Sequence, residues 1–327
     1  MKRTLIPLFA LLLSVLLIGG CSPSPTEQPP DTTSPPIPLA PSFHSFTELE
    51  QAPGITSVTP VHLELPAGID VSALPEESAE QLRILMEEFT VWEIAYTVDG
   101  VPVIAYAAAA DGYQSGGPLI LYARGGNGSF GANTPMFAAS YAYTSGCTVI
   151  APNYREADEF GGADVEDVVF WLDIIPALEF VNSEKVWLLG ESRGGMQACL
   201  TLLRDESHIV RAAACISGIY DVVNNYEVRT DMREMLRRRI GGSPQQCPEE
   251  YEKRSAVTFA DQIDTPLLLV HSTGDEKVPY NQAVTFAAEL EKYGKSHEFI
   301  TYENSTHGIT TAAMMEEIVQ WLQENGK

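Results

Sequence analysis

Positive charge is scarce in this chain. Its 327 residues carry 20 Lys and Arg against 44 Asp and Glu, a formal net charge of −24. Binding nucleic acid takes clustered cations that neutralise phosphates, so that class of partner is excluded. Cysteine is rare as well: Cys21, Cys147, Cys199, Cys215 and Cys247 are the five in the chain, and none has a metal-ligand spacing. No metal and no cofactor is expected. Cys199 and Cys215 lie in apolar runs and read as small core residues, while the four internal cysteines could also form two bridges in an oxidising compartment. There is no internal repeat. The N-terminal apolar run, Leu5 to Ile18, is short for a membrane-spanning helix. A chain of this length that is 45% hydrophobic and 20% charged suffices for one large globular domain with a sizeable core.

That short run nevertheless carries an address. Lys2-Arg3 precede it and Gly19-Gly20-Cys21 follow, which is the order of a secretory signal: basic start, apolar centre, small residues at the cleavage point. Cysteine directly after Ile18-Gly19-Gly20 resembles the lipobox of bacterial lipoproteins, which implies residues 1–20 as signal peptide and Cys21 as the acylated N-terminus. The expected location is extracytoplasmic, anchored to the bacterial cell membrane with the lipid bilayer as partner. Pro, Ser and Thr dominate the next stretch, so residues 21–42 are expected to be a disordered tether.

Beyond the tether, residues 43–90 read as an N-terminal segment packed on the catalytic domain, irregular from Phe43 to Leu74 and helical from Glu76 to Phe89, where Leu82, Leu85, Met86 and Phe89 share one face. From 91 to 327 the pattern is that of an α/β domain. Trp92–Thr97 and Val101–Ala108 flank Asp99-Gly100, a strong hairpin signal, so the sheet begins antiparallel. Apolar strands without alternation follow at Leu119–Tyr122, Thr148–Ala151, Val186–Leu189, Ala212–Ile216, Leu267–Val270 and Phe299–Tyr302. Helices lie between them at Phe137–Tyr143, Asp164–Phe180 (kinked or broken at Pro176) and Tyr280–Tyr293, and a last amphipathic helix passes through Met314 and Leu322. Strands of this kind linked by helices mean a mostly parallel sheet with helices on both faces. One excursion, about 221–262, holds Arg233, Arg237, Arg238 and Arg239 and leaves from a carboxyl strand end, where ligands bind in such sheets. It reads as a lid facing substrate or as a solvated basic face.

The chemistry is expected where Val186–Leu189 runs into Gly190-Glu191-Ser192-Arg193-Gly194-Gly195. This is a Gly-x-Ser-x-Gly turn between a strand and an Ala/Leu-rich helix, the context that lifts a serine above a sheet edge. Gly190, Gly194 and Gly195 leave room where strand and helix pass closely. A serine needs an oriented base. Asp275 follows the strand at Leu267 and His307 the strand at Phe299, so serine, acid and histidine come in the chain order this architecture uses. His271, at the start of the Asp275 loop, reads as a packing residue. The oxyanion donors expected are the backbone N–H of Arg193 and one from Gly125-Gly126, with Gly126 favoured. The Arg193 and Arg124 side chains are candidates for substrate binding, since a guanidinium can hold a carboxylate or a carbonyl.

Gly161-Gly162-Ala163-Asp164-Val165, the elbow with its extra Gly195, His271 through Asp275 to Pro279, Tyr251–Ser255 and His307-Gly308 together resemble the catalytic domain of the prolyl oligopeptidase family. The resemblance covers roughly 92–323. It implies an α/β-hydrolase fold, a triad of Ser192, Asp275 and His307, and a serine peptidase acting through an acyl-enzyme on small peptides. Too little chain precedes the sheet for that family's propeller domain, so none is expected and its size filtering does not carry over. Arg124 stands where the family usually has histidine before the two glycines, and Arg193 replaces its commoner aromatic or histidine. Two classes of function stay open: a membrane-tethered serine hydrolase on peptides or on esters, and a binding lipoprotein on a hydrolase scaffold.

Overall fold

In the computed structural model, residues 41–64, 73–308 and 311–326 are described. The expected signal peptide, Cys21 and the expected tether up to residue 40 lie outside them. Nine strands form a single sheet in the order β1-β2-β3-β5-β4-β6-β7-β8-β9. The central strands are β4 (Gly117–Ala123), β5 (Thr148–Pro152), β6 (Val181–Glu191), β7 (Ala212–Ile216), β8 (Leu267–Ser272) and β9 (His297–Tyr302), all parallel. Before them come β1 (Ile55–Val61), β2 (Phe89–Val98) and β3 (Val101–Ala110), which pair antiparallel with their neighbours. The sheet is therefore mixed and mostly parallel, as its apolar runs predict.

Asp99 and Gly100 both have positive φ, 53° and 77°, and Val98 pairs directly with Val101. This is the two-residue hairpin whose turn twists in the same sense as its strands. Side chains alternate across the sheet and divide the core in two. Leu121 and Leu188 face a layer with α3 (Glu166–Ile174), α4 (Arg193–Leu202) and α8 (Asn281–Lys292); Ile120, Trp187 and Leu189 face α1 (Glu76–Glu88), α2 (Pro135–Ser145) and α9 (Ala312–Asn325). Trp171 and Trp187 are fully buried, one in each layer. No helix among the described residues is long and apolar enough to cross a membrane, and Cys147, Cys199, Cys215 and Cys247 are free thiols.

Three expectations need correction. The stretch 43–74 is not all irregular, because β1 forms the sheet edge. It escapes the period-two pattern because a register shift between Ile55 and Ser57 leaves Ile55 and Val58, three apart, as its buried residues. Its Pro60 fits an edge, where a missing N–H costs no inner ladder bond. Second, β2 begins at Phe89 and so crosses the boundary placed at residue 90; the N-terminal segment contributes strands to the sheet itself. Third, the helix expected over 164–180 is cut at both ends. Residues 163–165 and 175–177 are 3-10 turns, the second containing Pro176, which cannot supply the helical N–H.

Candidate active site

The site grows from the end of β6. Val186 to Leu189 are buried between β4 and β7, which fixes Gly190 and Glu191 at the carboxyl edge. Ser192 then takes φ 59° and ψ −121°, a backbone state that a side chain tolerates only under constraint. The constraint is visible on both sides. Ser192 N–H donates to the Ile216 carbonyl at 2.8 Å, and its own carbonyl accepts from Gly195 and Ile219 N–H at 3.0 and 3.2 Å. A methyl at Gly194 would overlap the Ala123 carbonyl oxygen, and one at Gly195 would stand 2.7 Å from Gly218 Cα. Helix α4 can cross β4 this closely only where side chains are absent.

Asp275 and His307 come together as the chain order predicts. His307 Nδ1 lies 2.8 Å from Asp275 Oδ2. The other carboxylate oxygen accepts from the N–H groups of Lys277 and Val278 at 2.8 and 3.0 Å. Burial alone would raise the Asp275 pKa, but the His271 and His307 rings and the Val278 N–H outweigh it and hold the carboxyl well below the usual range. His271 is buried behind the acid, its Nε2 2.9 Å from the Val278 carbonyl and 3.5 Å from Asp275 Oδ2, so it packs and orients that loop. The half-exposed His307 is delivered to the serine's edge by Gly308, whose N–H donates to Ser217 Oγ at 3.2 Å and whose Cα abuts the Glu191 carboxylate. Among the described residues no hydrogen bond joins Ser192 Oγ to the His307 ring; contacts of this kind tighten when substrate binds.

The loop after β4 passes beside Ser192. A methyl at Gly125 would lie 3.1 Å from Ser192 Cβ, and Gly126 adopts φ 71° with the Phe130 carbonyl where a side chain would go. The N–H groups of Arg193, at the start of α4, and of Gly126 have no backbone acceptor among the described residues. Both are available to an oxyanion.

The two arginines proposed for substrate do something else. Arg193 is buried: its guanidinium pairs with Asp164 at 2.6 Å and Asp158 at 3.2 Å and donates to the Gly126 carbonyl at 3.1 Å. Burial works against its charge, yet Asp164, Tyr154 and Asp158 more than compensate, and its pKa is raised. Arg124, equally buried, donates to the carbonyls of Gly125, Phe130 and Gly128 at 3.0, 3.3 and 2.7 Å. Both guanidiniums stack 4.5 Å from the Tyr154 ring centre, and the Tyr154 hydroxyl donates to the Arg124 carbonyl at 2.6 Å. These arginines hold the Gly125–Gly131 loop, because the terminal nitrogens of both guanidiniums are committed to partners inside the protein.

Sequence reasoning missed Asp158, Tyr154 and Phe160, which lie in a loop without helical or strand periodicity. Asp164 had one signal, its place in the Gly161–Val165 run. The excursion at 221–262 carries α5 (Val222–Val228), α6 (Arg233–Ile240) and α7 (Pro248–Glu252). Arg239 of α6 donates to the Asp158 carbonyl at 2.6 Å and so ties the excursion to the domain, while Arg233 donates to the Tyr226 and Glu227 carbonyls at 2.9 and 2.7 Å and braces α6 against α5 within it. Between lid and oxyanion loop lies a cleft of about 550 Å³, reached by Gly126, Arg193 and His307. That volume is in the range of small-molecule sites. Among the described residues no group of three or more His, Cys, Asp or Glu could hold a metal ion.

Comparison with known proteins agrees with this geometry. The prolyl oligopeptidase family model matches residues 145–326. An uncharacterized peptidase, YtmA of Bacillus subtilis, is 30% identical over 246 residues, covering 71% of this chain and 93% of the relative. The acylamino-acid-releasing enzyme of Homo sapiens is 23% identical over 229 residues, but this chain spans only 31% of it. Among solved structures, an acylaminoacyl peptidase of Pyrococcus horikoshii superposes with a TM-score of 0.62 at 18% identity, over 76% of this chain and 43% of that one. A puromycin-hydrolyzing peptidase of Mycobacterium tuberculosis gives 0.60 at 23%, over 71% and 39%. At such identities the likeness speaks for the α/β-hydrolase fold alone.

Proposed function

Because this chain belongs to the prolyl oligopeptidase family, we propose that it is a serine peptidase that cleaves small peptides through an acyl-enzyme on Ser192. The observation that carries this reading is the 2.8 Å Asp275–His307 hydrogen bond on the sheet edge where Ser192 stands in a strained turn. In the proposed cycle His307 takes the hydroxyl proton as Ser192 Oγ attacks the scissile carbonyl. Asp275 holds the ring in one tautomer and stabilises the imidazolium. The N–H groups of Arg193 and Gly126 receive the oxyanion. His307 then returns the proton to the leaving amine, and a water repeats the sequence to free the acyl group. An ester would pass through the same intermediates, so a panel pairing aminoacyl arylamides with p-nitrophenyl esters decides between the substrate classes.

The test of the site is direct. A fluorophosphonate probe should label the native chain, and Ser192→Ala should lose both label and turnover, with kcat down by several orders of magnitude. A folded Ser192→Ala protein within tenfold of wild-type activity would falsify the assignment. We also propose that the chain is a lipoprotein held to the outer side of a bacterial membrane by acylated Cys21. The supporting feature is the basic, apolar and small-residue order that ends at Cys21.

A further inference from the structure

The cleft beside His307 has a charge opposite to that of the molecule around it. Its walls are apolar: Phe130, Phe160 and Ile219 face Met232 and Met235 of the lid. Around them stand four cations, and the structure sorts them. Arg193 is consumed by Asp164 and Asp158. Arg229 is consumed by Asp231, which it grips at 2.9 and 2.7 Å, and by the Lys277 carbonyl. Asp231 is the one carboxylate lining the cleft among the described residues, so that pairing removes its negative charge from contention. Arg238 and Lys277 remain. Both line the cleft, both are exposed, and neither side chain has a hydrogen bond or ion pair among the described residues.

Their placement follows from the elements. Met232, Met235 and Arg238 are three residues apart, so they share one stripe of α6 and its preceding turn, directed at the cleft. Arg239, one position on, turns away to the Asp158 carbonyl and fixes the rotation of that stripe. Lys277 is held from the opposite side, because its N–H is bound by the catalytic Asp275. A chain with 44 acidic and 20 basic residues has carboxylates in excess, yet at this cleft Arg238 has no carboxylate partner among the described residues, and Lys277 has only the field of Asp231, which Arg229 already grips. Low-dielectric walls focus the field of such charges onto whatever enters.

We propose that the cleft selects substrates carrying a carboxylate, held by Arg238 and Lys277 while the apolar walls take the neighbouring side chain. This rests on the serine peptidase reading and names its substrate class. The carboxylate can be an acidic side chain or a peptide's free C-terminus, and the recognising chemistry is the same: a guanidinium fork and an ammonium on one anion. The lid is therefore a reader of charge as well as a cover.

The experiment uses two matched pairs on the full chain: a glutamyl against a glutaminyl arylamide peptide, and a short peptide with a free C-terminal carboxylate against its amide. Wild type should prefer the anionic member of at least one pair, and the pair in which it does so identifies the source of the carboxylate. Arg238→Gln and Lys277→Gln should each lower kcat/KM for that member about tenfold, chiefly through KM, and leave the neutral member within about twofold. The two side chains are exposed and unpaired, so Tm should not move. Equal turnover of both members by wild type, or an equal loss on both in the variants, overturns this inference while leaving the peptidase reading intact. No fluorophosphonate labelling of Ser192 in folded wild type, with no turnover of any of the four, overturns the peptidase reading and this inference with it.

Discussion

At the scale of single residues, the most informative side chain is Arg193. Next to Ser192, the proposed nucleophile, it sends its guanidinium inward to Asp164 and Asp158, under the rings of Tyr154 and Phe160. Asp164 answers with everything it has. It accepts from Arg193, from Gln197 and from the N–H groups of Glu159, Gly161 and Gly162. Burial pushes its pKa up, but Arg193 and those N–H groups prevail and the pKa is lowered. A depressed carboxyl contributes stability that is present above its unfolded pKa of about 3.9 and is lost as pH falls toward the folded value. Asp164→Asn should therefore cost roughly 3 kcal/mol at neutral pH, because it leaves Arg193 undercompensated in the interior. Its Tm should also fall less steeply than wild type's as pH drops below about 4. Thermal melts from pH 7 to pH 2.5 check both; parallel curves for the two proteins would reject the role given to Asp164.

At the scale of elements, the loop from Gly125 to Gly131 matters most. It has no regular structure, yet in the proposed mechanism it must hold one N–H in a fixed place. Arg124 ties three of its carbonyls, Asp158 accepts from Gly128 N–H at 2.9 Å, and Arg193 takes the Gly126 carbonyl. The same Asp158 is reached by Arg239 of the lid, so lid and oxyanion loop share an anchor. Arg124→Gln removes the clamp from a part of the site that acts only as charge develops. It should lower kcat by roughly 10- to 100-fold with little change in KM, somewhat less than the loss of an oxyanion donor itself. Steady-state kinetics beside a melting curve separate this from unfolding: an unchanged kcat in the folded variant would show that the clamp is dispensable.

At the scale of the whole molecule, two features govern how substrate meets the site. The sheet sets Ser192, Asp275 and His307, the proposed nucleophile, acid and base, along one carboxyl edge, and residues of the 221–262 excursion line the cleft beside them. This chain spans 31% of the human relative it matches, and its described residues fold around a nine-stranded sheet. The proposed anchor at Cys21 would place that edge outside the membrane on a tether of some twenty residues. Intact mass of the membrane fraction should show a chain beginning at an acylated Cys21, and Cys21→Ser should leave the protein unprocessed by that route. An unmodified Cys21, or an N-terminus elsewhere, would sink the proposal.

Local grammar determined much of this protein. Buried strands without alternation, Asp99-Gly100 between two strands, and Gly190-Glu191-Ser192-Arg193-Gly194 between a strand and a helix are statements about neighbours in the chain. Backbone sterics and burial read them without further information, and so the sheet, the hairpin and the order of Ser192, Asp275 and His307 were legible. Where a charged side chain points was not. Arg124, Arg193, Arg238 and Arg239 look alike in sequence, and each could have faced substrate. Their fates were settled by the partners the fold brought to them: Asp158 and Asp164, some thirty residues away, took Arg193; the turn of its own loop took Arg124; the distant Asp158 carbonyl took Arg239; and nothing among the described residues took Arg238. A long flexible cation goes to whichever partner the fold brings within about 3 Å, and that partner exists only once the sheet has closed.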